Sequence, residues 1–172
     1  PRRQRQMCIR DSYGTASPSE AITSATVEVD ALDLDTFLRH VAENAPYAGI
    51  ADVVYAPAGA PVWVQADEHS LEDVVTHVLR NAERYRPAGT PVTLALSGLD
   101  EAMVALAIHN TGPAIPEALL DKIFDYGVSD GAANGGQGEG RGQGLFVART
   151  YMAKMGGTIT ATNTEGGCLL YT

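Results

Sequence analysis

The sequence has few cysteines, few basic residues and no long apolar run, and each of these shortages excludes a class of protein. Its two cysteines, Cys8 and Cys168, are too few for a disulfide framework or a cysteine-rich zinc site, so a reducing compartment is the simplest setting. The longest apolar stretches, such as residues 102–108, fall well short of the roughly 20 residues that cross a bilayer. Because 12 lysines and arginines stand against 21 aspartates and glutamates, the net charge of -9 disfavours nucleic acid as a partner.

The chain does have the length and hydrophobicity of one folded domain. It contains 172 residues, of which 45% are hydrophobic, and this is enough for a single core. Residues 1–12 are different, because they hold four of the 12 basic residues and show no periodicity. We therefore predict that residues 1–20 are a disordered or non-native tail and that residues 21–172 form one domain.

Hydrophobic periodicity predicts a mixture of helices and strands. Asp33 is a candidate N-cap for the first predicted helix, and Asp67 is one for the longest. The turn residues between 56 and 61 suggest that the strands on either side form a hairpin. The predicted helices are 33–43, 67–85, a short one after residue 116, and 145–155; the predicted strands are 26–29, 50–55, 62–65, 92–97, 103–109, 158–163 and 168–172. This order predicts an α+β domain with helices on one face of a mixed, mostly antiparallel sheet.

One segment is rich in glycine. Residues 127–144 contain eight of the chain's 18 glycines and almost no apolar side chains. Such a composition predicts a mobile loop between two regular elements.

The longest predicted helix carries a polar stripe beside its apolar face. His77, Asn81, Arg84 and Tyr85 fall at positions i, i+4, i+7 and i+8, about a quarter turn from the core. By itself this pattern is explained at least as well by an ordinary polar flank as by a binding groove. Two further segments favour the groove: IHNTGPAIP at 108–116 follows a strand, and GRGQGL at 140–145 opens a helix.

Taken together, these segments resemble the GHKL superfamily of ATP-binding domains, and within it the catalytic domains of bacterial sensor histidine kinases. Residues 77–85 resemble the N box of that family, 110–116 its first glycine box, 122–126 its F box and 142–145 its second glycine box. Four boxes in the family's order are a more specific signal than any one of them. The resemblance runs from about residue 26 to the end and implies the Bergerat fold, a two-layer α/β sandwich.

The resemblance also implies roles for individual residues. Asn81 would bind Mg²⁺, and His77 and Arg84 would be the other catalytic residues. The implied nucleotide contacts are Tyr85, Asn110, Gly112, Ala114, Ile115, Phe124, Arg141, Gly142, Gln143, Gly144 and Leu145. The glycine-rich segment would form a lid over the nucleotide.

The sequence departs from the family pattern at three positions. Asn110 replaces the usual aspartate, which keeps an acceptor oxygen but removes a charge. Ala114 and Phe146 each stand where the family commonly has glycine. These departures leave open a weaker, non-catalytic ATP-binding module of the same fold.

The function implied is that of a protein histidine kinase. The domain would transfer the γ-phosphoryl group of Mg·ATP to a histidine on the dimerisation domain of its own protein, for relay to a response regulator. We expect the whole protein to be a homodimer and this domain to be cytoplasmic, with an anchor in the inner membrane left open. A serine kinase of the same fold is a weaker alternative. His40 lies too close to the N box to leave room for a dimerisation hairpin, so it is not the expected acceptor.

Overall fold

A computed structural model of the protein describes residues 18–98, 100–128 and 143–171. The elements in these ranges are α1 (Pro18–Ser24), β1 (Asp30–Asp33), α2 (Leu34–Asn44), a 3-10 helix (Ala45–Ala48), β2 (Val53–Ala56), β3 (Trp63–Ala66), α3 (Glu68–Tyr85), β4 (Val92–Gly98), β5 (Val104–Thr111), α4 (Glu117–Leu120), α5 (Gly144–Lys154), β6 (Thr160–Thr164) and β7 (Gly167–Tyr171). Among the helices of these ranges, none combines the length and the apolar composition that a bilayer crossing requires.

The strands form two sheets. Within the described ranges, the larger sheet has five strands in the order β2-β4-β5-β7-β6, and β1 pairs with β3 in a smaller one. Strand β2 runs parallel to β4, whereas every other pairing is antiparallel. This arrangement confirms the predicted mixed, mostly antiparallel sheet.

The helices cover one face of the larger sheet. On β4, Val92 and Leu94 are fully buried, while Thr93 and Ala95, which alternate with them, are exposed. This alternation is expected of a strand with one face on the core and one in water. The main contribution from α3 is a stripe that packs on this face and on α5, namely Leu71, Val74, Val75, Val78, Leu79 and Ala82.

The predicted hairpin between β2 and β3 is wrong, because the two strands belong to different sheets. The linker between them is held instead by carboxylates at the start of α2. Asp35 accepts a hydrogen bond from the Ala58 N–H at 2.8 Å, and Asp33, which also caps α2, accepts one from the Val62 N–H at 3.0 Å. These bonds lead the linker over the start of α2 rather than into a tight turn. The strand predicted at 26–29 also lies elsewhere, at residues 30–33.

The segment before β1 packs against α5 and the start of α3. The Lys154 ammonium donates to the carbonyl of Ala25, and the Glu28 N–H donates to Asp67 Oδ2 at 2.7 Å. Helix α1 includes residues 18–20, which the sequence assigned to the tail. The domain boundary at residue 20 stays a prediction.

A buried carboxylate ties α2 to β2. Asp35 is 5% exposed and accepts hydrogen bonds from the Tyr55 hydroxyl at 2.7 Å and from Arg39 Nε at 2.9 Å. The Tyr55 hydroxyl is the main cause that holds the pKa of Asp35 below its usual value. Burial, and then the Asp35 carboxylate, raise the pKa of Tyr55 to about 12. Both groups therefore keep the protonation states that this hydrogen bond needs at neutral pH.

We predict that Tyr55→Phe lowers the melting temperature at pH 7 by roughly 2–6 °C, because it removes a hydrogen bond to a buried carboxylate. The loss should shrink below about pH 4, since a group with a lowered folded pKa contributes stability above its unfolded pKa and loses it as the pH falls through the folded value. Thermal unfolding from pH 7 to pH 3 checks this. Tyr47→Phe is the control, because Tyr47 is 91% exposed and should have no effect.

Candidate functional site

Helix α3 is the platform of the candidate site. Asp67 caps its start by accepting a hydrogen bond from the Ser70 N–H at 2.9 Å. The polar stripe borders the core as its spacing predicts, since His77, Asn81 and Tyr85 are half-buried and Arg84 is exposed. The stripe therefore lies along one edge of the helix layer.

The N-terminus of α5 lies against His77. A Cβ added to Gly144, the first residue of α5, would come within 3.1 Å of His77 Nδ1, so only glycine fits without a shift. Burial lowers the pKa of His77, Asp73 partly offsets this, and Arg80 lowers the pKa further. The imidazole is therefore neutral at pH 7. It borders a helix end whose free N–H groups and dipole favour anions.

A second glycine lies against the other end of the stripe. A Cβ on Gly112 would come within 2.7 Å of the Tyr85 carbonyl oxygen, a distance that real Cβ atoms do not show. The Gly112 N–H donates to the carbonyl of Gly166 at 3.0 Å. The Arg84 guanidinium carbon lies 5.4 Å from the centroid of the Tyr85 ring, within the range of a cation–π contact.

Asn110 lies at the end of β5, beside Gly112, and is 7% exposed. Its Nδ2 donates to the carbonyl of Thr111 at 2.9 Å. This bond fixes which side of the carboxamide donates, so Oδ1 is left as an acceptor. In the described part of the chain, Oδ1 has no hydrogen-bond donor. Asn110 Oδ1 therefore keeps its capacity to accept a hydrogen bond.

The loop after β5, residues 112–116, is called the base-side loop below. Ala114 is exposed and Ile115 is half-buried. The Asn163 side chain on β6 binds both backbone polar groups of Ile115, at 2.8 and 2.7 Å. Sequence reasoning missed Asn163, because its partner lies 48 positions earlier in the chain.

The segment after α4 is connected to the start of α5. Gln143 Nε2 donates to the Tyr126 hydroxyl at 3.0 Å, and the Tyr126 and Phe146 rings meet edge to face at 5.3 Å between centroids. Phe124 lies in the core with 4% exposure, so in this structure it anchors the segment instead of lining an open groove. Leu145 is half-buried and packs on the core.

Two of the expected site residues, Arg141 and Gly142, lie outside the described residues, as does most of the glycine-rich segment 127–144. In the ranges that are described, the structure places the remaining candidates along α3, at the end of β5 and at the start of α5. It also holds no cluster there of three or more histidine, cysteine, aspartate or glutamate side chains that would bind a metal ion.

Residues 66–171 match the sequence profile of a family described as the histidine kinase-, DNA gyrase B- and HSP90-like ATPases. The chain belongs to this family. The match covers α3, β4, β5, α5 and the β6–β7 hairpin, which are the elements that carry the site. ATP is therefore the nucleotide of the domain's family.

The curated relatives of this domain include sensor kinases. The chain is 38% identical over 110 residues to sensor histidine kinase Hik2 of Synechocystis, which is 60% of this chain and 25% of that protein. It is 31% identical over 107 residues to sensor protein CutS of Streptomyces coelicolor, which is 62% of this chain and 26% of that protein. The chain thus spans about a quarter of the length of these relatives.

Solved structures share the fold. The mycobacterial sensor histidine kinase MprB matches with a TM-score of 0.70 and 21% identity, over 84% of this chain and 95% of that one. Full-length ShkA in complex with AMPPNP matches with a TM-score of 0.73 and 24% identity, over 89% of this chain and 32% of that one. These likenesses confirm the predicted α/β sandwich.

We predict that Gly112→Ala destabilises the protein by about 2 kcal/mol, because its Cβ would overlap the Tyr85 carbonyl oxygen. The melting temperature should fall by roughly 4–8 °C. Gly98→Ala is the matched control, because a Cβ there meets nothing within 4 Å. Equal melting temperatures for the two variants would show that Gly112 is not needed for the close approach.

Proposed function

We propose that this domain binds ATP with Mg²⁺ and transfers the γ-phosphoryl group to a histidine on the dimerisation domain of the same protein. A response regulator would then receive the phosphoryl group, and the whole protein would act as a homodimer. The observation that carries this proposal is the contact of α3 with two glycine-containing segments. His77 meets Gly144 at one end of the polar stripe, and Tyr85 meets Gly112 at the other.

This arrangement places two chemically different segments at the two ends of the polar stripe. The start of α5 provides backbone N–H groups and a positive dipole end, which suit phosphates. The base-side loop and the Asn110 acceptor suit a base that carries an amino group. Arg84 is exposed between these ends and would pair with a phosphate.

The residues present fit a magnesium ion. Asn81 is half-buried, and its carboxamide has no hydrogen-bond partner among the described residues. Mg²⁺ prefers one or two protein oxygens together with phosphates and water, so one amide oxygen suffices and a cluster of carboxylates is not needed. Bound there, the ion would neutralise charge on the transferring phosphoryl group.

The presence of His77 favours phosphoryl transfer over ATP hydrolysis as the reaction of this domain. In the hydrolytic branches that the chain resembles, a glutamate at this position is the general base that activates water. Here a neutral, half-buried imidazole occupies the position. It can orient groups at the start of α5, but it provides no carboxylate base. The nucleophile would therefore be supplied by the acceptor histidine.

A second candidate function is ATP binding without transfer, as in a regulatory module. Asn110 favours it, because a neutral carboxamide replaces the charged acceptor of the family. The hydrogen bond that this carboxamide donates to the Thr111 carbonyl is likewise between two neutral groups. The two candidates differ in one measurement, the phosphorylation of an added dimerisation domain.

We expect the chain to bind Mg·ATP and ADP but to release phosphate from ATP no faster than a control without protein. The reason is that the position of the catalytic base holds His77 instead of a carboxylate. Isothermal titration calorimetry measures the binding, and a phosphate-release assay measures the turnover. Rapid phosphate release would assign the domain to a hydrolytic branch of the family.

We also predict that Asn81→Asp reduces phosphoryl transfer to the dimerisation domain by about thirtyfold or more, equivalent to ~2 kcal/mol of transition-state stabilisation. The new carboxylate would repel the triphosphate and alter the ligands of the ion. The melting temperature should barely change, because Asn81 lies outside the apolar stripe.

Val78→Asp is the control for this experiment that should lose the fold instead of the activity alone. Val78 has 0% exposure, so a charge there should unfold the domain. If Asn81→Asp unfolds the protein while the folded remainder keeps its full transfer activity, Asn81 is a structural residue and the assignment to Mg²⁺ is wrong.

A further inference from the structure

The Asn163 side chain pairs with a single residue of the base-side loop through two hydrogen bonds. Its Oδ1 accepts from the Ile115 N–H at 2.8 Å, and its Nδ2 donates to the Ile115 carbonyl at 2.7 Å. Two bonds to one residue fix both its position and its orientation, as a neighbouring strand would. The Asn163 carboxamide thus connects the loop to the edge strand β6 by hydrogen bonds.

The base-side loop has few other supports. Pro113 and Pro116 have no N–H to donate. The Gly112 N–H donates to the carbonyl of Gly166 in the β6–β7 turn. At the end of the loop, the Pro116 carbonyl accepts a hydrogen bond from the Leu119 N–H of α4 at 2.8 Å. The two other hydrogen-bond anchors beyond β5 in the described part of the chain come from one hairpin, and of these Asn163 holds the second half of the loop.

These two bonds contribute little to the stability of the fold as a whole. Asn163 is exposed, so water competes for its hydrogen bonds and their net contribution is small. Strand β6 pairs with β7 through backbone bonds that do not involve the side chain. Removing the carboxamide should therefore release the loop without unfolding the hairpin.

The loop lies directly beside the Asn110 carboxamide, whose Oδ1 we assign to the base, since a Cβ on Gly112 would lie 3.4 Å from Asn110 Nδ2. Asn110 is the last residue but one of β5, and Gly112, which follows Thr111, touches the end of α3. A shift of Ile115 would change the space between this acceptor and the loop. It would leave His77 and Gly144, at the other end of α3, in place.

We infer that Asn163 is a positioning residue for base recognition: it holds Ile115 so that the base-side loop and Asn110 together accept a purine with a 6-amino group. The inference rests on the proposed function, because it assumes that this site binds an adenine nucleotide. Asn163 touches no nucleotide itself and acts through the loop. Its loss should therefore affect the recognition of the base more than the binding of the phosphates.

The test compares ADP with inosine diphosphate, which has the same phosphates but no 6-amino group. Calorimetry with the whole chain gives both dissociation constants for the unchanged protein, Asn163→Ala and Asn163→Asp. We expect the unchanged chain to prefer ADP. Asn163→Ala should weaken ADP binding by about tenfold, inosine diphosphate binding by much less, and so remove most of the preference.

Asn163→Asp separates the two hydrogen bonds. The aspartate can still accept from the Ile115 N–H, but it places a charged oxygen against the Ile115 carbonyl. We expect its preference for ADP to be at least as low as that of Asn163→Ala. Thr162→Ala is the control, since Thr162 is an exposed neighbour on the same strand and should retain both affinities. Melting temperatures of all variants should stay close to that of the unchanged chain.

The outcomes distinguish this inference from the proposed function. If the unchanged chain binds neither nucleotide, the proposed function fails. If it prefers ADP and Asn163→Ala keeps that preference, the positioning role is wrong while the function stands. Equal losses of affinity for both nucleotides would reveal a general structural effect and would also overturn the role. Should Asn163→Ala not fold, the premise that its bonds are dispensable for the fold is refuted, and with it the inference.

Discussion

The rotation of α3 about its own axis is the constraint on which the site depends. Val74, Val75 and Val78 are fully buried, and each buried aliphatic side chain contributes roughly 1.5–3 kcal/mol. A turn of the helix by one residue position would expose part of that stripe. The core therefore decides where His77 and Asn81 lie, although neither belongs to it. One face of α3 packs into the core, and the adjacent face carries residues of the candidate site.

This helix also joins two supports that are otherwise separate. At one end of the stripe the candidate site rests on α5 through Gly144, whereas at the other end it rests on β5 and the β6–β7 hairpin. His77 and Tyr85, which meet the two glycines, are eight positions apart and hence about 12 Å along the axis. A Cβ on Gly112 would come within 2.7 Å of the Tyr85 carbonyl oxygen, so this contact needs glycine. A Cβ on Gly144 would come within 3.1 Å of His77 Nδ1 and would make the imidazole move slightly. Contact between elements thus favours glycine at both places beside the stripe.

The sequence predicted those features that depend on local pattern. The N-caps Asp33 and Asp67, the span of α3 and the order of the later strands follow from periodicity and turn chemistry, and the structure confirms them. The pairing of β2 and β3 was predicted wrongly, because the carboxylates that redirect their linker lie on α2, more than 20 positions away. The two hydrogen bonds between Asn163 and Ile115 also join residues that are far apart in the chain. A sequence pattern indicates the conformation that residues close together in the chain prefer. These contacts depend instead on where the sheet brings distant residues together.

Charge balance explains why a cation belongs to the proposed function. The chain has a net charge of -9, and a nucleotide triphosphate would add more negative charge beside α3. Burial keeps His77 neutral, so the imidazole offsets none of it. The N-terminus of α5 supplies only about half a positive charge, and Arg84 supplies one. The negative charge that remains on the nucleotide needs a counterion. Asn81 offers that ion an oxygen without adding a negative charge of its own, which a carboxylate at the same position would do.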